Sequence, residues 1–421
     1  MSERARQQRR RVLAALLCTL GVSPRLAWPQ PAVQKLRPKF PPVWTGFGLN
    51  GGAGQARFDL TRAFVRQKFR IDNLSNSEAF AFMREPLKRL LASEHAGQVQ
   101  FKNSVEFGQD LLLGFAHDYE TAVGARLEKD GQNANTLFVF MSGVGMVLSF
   151  SKSTGWRVVS SFPFMLRMER LGGDLKDVRA KAVAIMDQAY VAYGQAFSHF
   201  LGRFNKWDRG FSGNFFARLT AASIHKDVQA KLTAYRINGL LNDELLGFSA
   251  SSVLCDSLDI PLLPYQENDA LSKRYAVKFN DDLAAQQVIQ IPDADLRFEI
   301  VLRDVDKQKI DSTQRGVTIV RRSVVLRLIV FDEFSNLPEK RLLNVLAMST
   351  SEDRIPLQSA EDDTPERDLV FFDRLITRTL TNLLRGMVTR DANTLAAVEV
   401  KLSSVEPALP RLMELCAKTR G

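Results

Sequence analysis

From Leu111 the chain alternates. In LLLGFAHDYETAVGARL the odd positions Leu111, Leu113, Phe115, His117, Tyr119, Val123 and Leu127 are mostly apolar, while the even ones include Asp118, Glu120 and Arg126. Successive side chains of a strand point to opposite faces, so this pattern predicts a long strand with one wet face. Asp130-Gly131 supplies a turn. The next run, residues 136–150, carries no charge, as a strand covered on both faces would. After SKSTG, the segment WRVVSSFPFMLRME predicts a hairpin partner, with Pro163 marking an edge or a bulge.

Beyond Gly172-Gly173 the period becomes helical. Val178, Ala182, Ile185, Ala189, Ala192, Ala196 and Phe200 share one face of a long helix. A second helix is predicted over residues 215–235 and a third over 243–258, the latter capped by Asn242. DIPLLPY reads as a short strand. LRFEIVLRD alternates again, and residues 317–331 and 342–348 read as further strands. The clearest helix follows: Thr364 caps it, Pro365 takes its first position, and Phe372, Leu375, Thr379, Leu383 and Met387 form the stripe.

These elements predict an α+β fold, with mostly antiparallel sheet or sheets packed by several amphipathic helices. The boundaries are an export signal at 1–28, a Pro/Gly-rich linker at 29–56, a β-rich region at 57–172, a helical region at 173–260, and an α/β region with a closing helix at 261–421. Residues 172–421 could form one domain together with the 136–169 hairpin.

The chain has 421 residues and a formal net charge of +10. Half of that excess sits in the first thirty residues, where Arg4, Arg6, Arg9, Arg10, Arg11 and Arg25 face Glu3 alone. The remainder is too diffuse to argue for nucleic acid. A basic start followed by the apolar run Val12–Val22 has the form of an export signal, and Arg-rich RRRVLA resembles a twin-arginine leader. Eleven helical residues rise only about 16 Å, too short to span a bilayer. A lipid anchor on Cys18 is disfavoured by Leu17, which stands where a lipoprotein signal needs a small residue. The expected location is periplasmic or secreted, by Sec or twin-arginine export.

Gly46, Gly48 and Gly51 in TGFGLNGGAG stand at the spacing of a dinucleotide fingerprint. That motif needs a buried strand before it and a helix after it. The preceding KFPPVW, with Pro41 and Pro42, argues against a strand, so the glycines read as tether and no cofactor is expected.

Four histidines, His95, His117, His199 and His225, show no metal spacing. Asp118 and Glu120, two apart on a strand, would lie about 7 Å apart on one face, compatible with acid–base or glycoside chemistry. His117 would point to the other face unless a bulge intervened. A solvated strand face explains the same pattern. Asp304 and Asp306 form a second pair, a weak candidate for cation binding beside Lys307 and Lys309. Arg315, Arg321, Arg322 and Arg327 could present a modest basic face to anionic lipid. Cys255 and Cys416 could pair in an oxidising compartment, although Cys255 falls on the buried stripe of its helix.

The order of apolar strand, helix such as 243–258, strands and closing helix over residues 136–390 resembles the α/β modules of bacterial envelope-assembly accessory proteins. These include the periplasmic part of the curli secretion lipoprotein and the penicillin-binding-protein activators. The likeness is one of element order. It implies a non-catalytic envelope protein that binds a protein partner or forms a homo-oligomer, with peripheral membrane contact open. One alternative is an exported hydrolase using Asp118 and Glu120; another is a lipid-binding protein with a cavity against the 136–169 hairpin.

Overall fold

A computed structural model describes residues 42–50, 58–72, 81–94, 99–101, 111–129, 132–151, 155–172, 174–204, 215–265, 274–279, 287–312, 316–336, 338–356 and 363–420. The expected export signal, Cys18, His95 and Arg315 lie outside the described residues.

Within the stretch expected to be linker, Val43–Asn50 is a buried strand, β1. Val43, Trp44, Phe47 and Leu49 supply its apolar bulk. Its glycines are packing residues: Gly46 and Gly48 lie opposite Gly114 and Ala116 of β2 (Leu112–Lys129), where the two backbones run parallel. Gly46 has φ +114°, and the register shifts there, a conformation that a side chain would resist. Helices α1 (Asp59–Phe69) and α2 (Ala81–Glu94) lie between β1 and β2 in the chain, which lets the two strands run in the same direction.

β2 pairs with β3 (Gln132–Ser151), and β3 with β4 (Gly155–Leu171), both antiparallel as the pattern predicts. With β6 (Arg274–Phe279) and β7 (Gln287–Gln290) they close a barrel in the order β1-β2-β3-β4-β7-β6. Residues 136–148 of β3 are buried throughout, as expected of an uncharged run. Its two faces enter different cores in the second half. Val147 belongs to the main core, and the alternate residues Val144, Met146 and Leu148 pack with Leu112, Trp156 and Val158 in a smaller one. Over these residues both faces of β3 are packed by protein side chains.

The long helix expected after Gly173 breaks at Ile185 into α3 (Val178–Ala184), capped by Asp177, and α4 (Met186–Phe204). The helix expected over 215–235 is instead strand β5 (Ala217–Ile224) followed by α5 (Lys226–Ala234). A register shift between Leu219 and Ala221 explains the misreading, because it places Leu219 and Ala222 on one side at a spacing that imitates a helix. α6 (Asp243–Leu258) begins at its predicted cap, with Asn242 accepting from the Leu245 amide at 2.8 Å.

β8 (Leu296–Ser312), β9 (Val317–Asp332) and β10 (Arg341–Pro356) join β5 in a four-stranded sheet of order β10-β9-β8-β5. α7 (Pro365–Thr389) starts at Thr364 and Pro365 as predicted. Three further helices, α8 (Ala392–Ala396), α9 (Leu402–Val405) and α10 (Leu409–Arg420), follow without having been expected.

The class is α+β. Both sheets are mixed, where the pattern predicts mostly antiparallel pairing: β1/β2, β4/β7 and β5/β8 are parallel. Such pairs need crossover connections, and local alternation carries no sign of strand direction. Among the described residues, no helix is long and apolar enough to cross a membrane.

Candidate functional site

The densest polar constellation is buried where β2 meets α1 and α4. His117 pairs with Gly143 and Tyr119 with Ser142, leaving Asp118 as an extra residue on β2. This is the bulge that strict alternation lacks. It turns His117 and Glu120 to the same side, and their side chains are 0% and 1% exposed.

Glu120 closes on α1. Phe58 at the helix N-cap makes no side-chain capping bond. Glu120 Oε1 instead accepts from the Thr61 amide at 2.8 Å, and Oε2 accepts from Thr61 Oγ1 at 2.6 Å. A carboxylate is favoured here, where unpaired helical N–H groups carry partial positive charge. His117 Nε2 lies 3.1 Å from Glu120 Oε2. On the other side of the ring, Nδ1 lies 2.7 Å from Tyr193 Oη and 3.0 Å from the Ser142 carbonyl oxygen. Tyr193 donates to that same carbonyl, and Tyr190 hydrogen-bonds Thr61 Oγ1.

Aromatic rings enclose the array. Phe58 packs on His117 with centroids 5.2 Å apart, and Phe115 meets Tyr193 edge-on at 4.9 Å. Gly143 makes room: a Cβ there would lie 2.2 Å from Tyr193 Oη. Burial pushes both tyrosine hydroxyls well above their usual range, reinforced by Glu120 at Tyr190 and by Asp118 at Tyr193. Both phenols are therefore neutral hydrogen-bonding groups.

Asp118 and Glu120, expected on a solvent-facing strand, are both buried. Glu120 is committed to Thr61 and His117. The arrangement fastens a helix to a barrel.

The glycine-rich segment has a second consequence. Gly46 and Gly48 lie within β1, contrary to the expectation drawn from Pro41 and Pro42, and a helix begins at Asp59, while residues 51–57 lie outside the described residues. At the helix end where a dinucleotide fold would hold phosphate, the Thr61 amide is taken by the Glu120 carboxylate.

A second charged cluster lies under α7. Arg322 and Arg367 are both fully buried, and Phe371 lies against both guanidinium groups. Arg322 meets Asp368 at 2.7 Å and Asp363 at 3.2 Å, and Lys307 bridges the same two carboxylates. Burial raises the Asp363 carboxyl, but hydrogen bonds and charge from Lys307 and Lys309 outweigh it and hold the group below its usual range. Of the arginines expected on one basic face, Arg321 is exposed and paired with Glu352, Arg327 bonds Asn344, and Arg322 points inward.

Asp304 and Asp306 both lie near Lys231, whose ammonium they help to keep charged. Asp304 accepts from Lys231 at 2.6 Å, and Asp306 from Gln308 at 2.9 Å. Among the described residues, no group of three or more histidine, cysteine or acidic side chains is arranged to hold a metal. His225 caps α5 by accepting from Asp227, and His199 is exposed on α4.

Cys255 and Cys416 are free, buried thiols rather than a disulfide. Cys255 faces inward from α6 and donates to the Ile260 carbonyl at 2.8 Å, while Cys416 is buried on α10. Burial pushes the Cys416 thiol up to about 12 and Cys255 well above its usual value.

No protein-family model matches this chain, and no curated protein matches it.

Proposed function

We propose that this protein is an exported component of a bacterial envelope, acting by binding a protein partner or a second copy of itself rather than by catalysis. The basic start followed by the apolar run Val12–Val22 supports export. The observation that supports the non-catalytic part is the commitment of Glu120, one of the two acid–base candidates; the other, Asp118, is buried beside it. Glu120 and His117 bond to each other, and their remaining contacts go to Thr61, Tyr193 and Ser142 inside the fold. A catalytic carboxylate must meet substrate; Glu120 instead holds α1 to β2. Large apolar side chains do reach the surface of the last sheet region, with Leu346 56% and Phe334 64% exposed.

Affinity purification of the full chain from the envelope fraction of its native cells tests this reading. A stoichiometric envelope protein, or a discrete homo-oligomer, is expected. A strictly monomeric protein that copurifies with nothing contradicts it.

A further inference from the structure

Beside the carboxyl end of β5, a cleft of about 330 Å³ lies between α5 and the first turn of α6. That volume is at the small end of the range for ligand clefts. Open sheets with parallel strands take ligands beyond the carboxyl ends of those strands, and β5 is parallel to β8. Ile224, the last residue of β5, forms the apolar part of the lining with Leu232 and Leu241, all three buried. The polar part comes from Gln229 and Thr233 on α5, Asn238 in the connection, and Asn242 and Asp243 at the start of α6.

Three of these polar side chains are each fixed by one hydrogen bond and keep further capacity. Asn242 Oδ1 accepts from the Leu245 amide at 2.8 Å, which leaves its NH2 group to donate. Asp243 Oδ1 accepts from the Ile224 amide at 2.7 Å, which leaves Oδ2 to accept. Thr233 Oγ1 donates to the Gln229 carbonyl at 2.9 Å and can still accept. The side-chain amides of Gln229 and Asn238 have no hydrogen-bond partner among the described residues. The turn that carries Asn238 is nevertheless anchored: Ile237 is buried, and its carbonyl accepts from the Leu240 and Leu241 amides at 3.0 and 2.8 Å.

This chemistry selects among ligands. No lysine or arginine lines the cleft to pair with a phosphate or carboxylate, and no aromatic ring lines it to stack on a base. Asp243 is its single carboxylate, where a calcium site gathers several oxygen ligands. What the lining offers is amide donors and acceptors, a hydroxyl and one carboxylate beside an apolar wall. A ring of hydroxyl groups with C–H faces matches that set.

We propose that this cleft binds a neutral sugar of one ring. Its hydroxyls donate to Asp243 Oδ2 and exchange hydrogen bonds with the amides of Gln229, Asn238 and Asn242, while its C–H groups rest on Leu232 and Leu241. The inference goes beyond the partner-binding reading and stands without it.

Side-chain amide signals in nitrogen-15 NMR of the full chain read the cleft directly, with Gln229 and Asn238 assigned by difference from Gln229→Ala and Asn238→Ala. Both residues are exposed, so neither substitution disturbs the core. Glucose, galactose, mannose and N-acetylglucosamine are titrated separately through the millimolar range, with inorganic phosphate as the charged comparison. At least one sugar is expected to shift both amide signals saturably, and phosphate to leave them in place. Asn238→Ala should weaken that sugar about tenfold, the scale of one hydrogen bond. The proposal is overturned if no sugar shifts both signals, if phosphate shifts them as strongly, or if Asn238→Ala binds sugar as the unsubstituted protein does.

Discussion

Arg367 of α7 reaches back 241 residues to the barrel: its Nη1 donates to the Arg126 carbonyl of β2 at 2.5 Å, while Nε and Nη2 clamp Asp353 of β10 at 2.7 and 2.9 Å. One fully buried guanidinium therefore joins three elements, the first hairpin, the last strand and the last long helix. Replacing it by Met keeps volume but leaves Asp353 with a weakened set of partners. Breaking a buried pair in this way costs roughly 3–5 kcal/mol. Arg367→Met should lower the denaturant midpoint accordingly, and urea unfolding monitored by circular dichroism measures it. A loss below about 1 kcal/mol, the range of exposed ion pairs, would show that the cluster contributes little.

The same cluster sets an acid limit. Asp363 is held below its ordinary range against the opposing effect of burial, by Lys307 and Lys309. A depressed carboxyl stabilises the fold above its unfolded value, about 3.9, and that contribution disappears as pH falls through the lower folded value. Thermal stability should therefore decline below about pH 4. Asp363→Asn should be less stable at neutral pH and show a shallower acid limb. Parallel acid limbs in the two proteins would assign the decline to other groups.

Gly143→Ala tests the packing of the array. The added methyl would meet Tyr193 Oη at 2.2 Å and the Ala116 carbonyl oxygen at 2.8 Å, and the second is backbone that cannot swing aside. Overpacking of this kind costs about 1–3 kcal/mol. Gly202→Ala, where nothing lies within 4 Å, is the matched control and should be neutral or slightly stabilising in its helix. Equal melting temperatures for the two variants would refute the packing argument.

Both described cysteines should resist alkylation in the native state, because burial disfavours the reactive thiolate and Cys255 donates to Ile260. Mass spectrometry should find neither thiol labelled before denaturation and both labelled after it. Native protein with Cys255 linked to Cys416 would contradict the structure.

Some of this was legible in the sequence because the signal was local. Asn242 and Thr364-Pro365 fix their helix starts by chemistry confined to a single turn, and both helices begin there. The β2–β3–β4 hairpins follow from alternation and short turns. What was missed depends on distant partners. The glycines of β1 look like tether until Gly114 and Ala116 are set beside them. α1 has Phe58 at its cap, and the group that replaces a capping side chain, Glu120, lies 59 residues from Thr61. The bulge at Asp118 changes which residues share a face, and an alternation pattern cannot report an added residue. Glu120 was visible as a candidate, whereas His117 was expected on the other face unless a bulge intervened, and the bulge brings the two together.

The most direct test of the account as a whole is the mass and location of the protein in its native cells. Fractionation followed by intact-mass analysis should find it outside the cytosol, shortened by removal of the arginine-rich start and the apolar run behind it. Recovery from the cytosol with that segment still attached would contradict export and the envelope partner that depends on it.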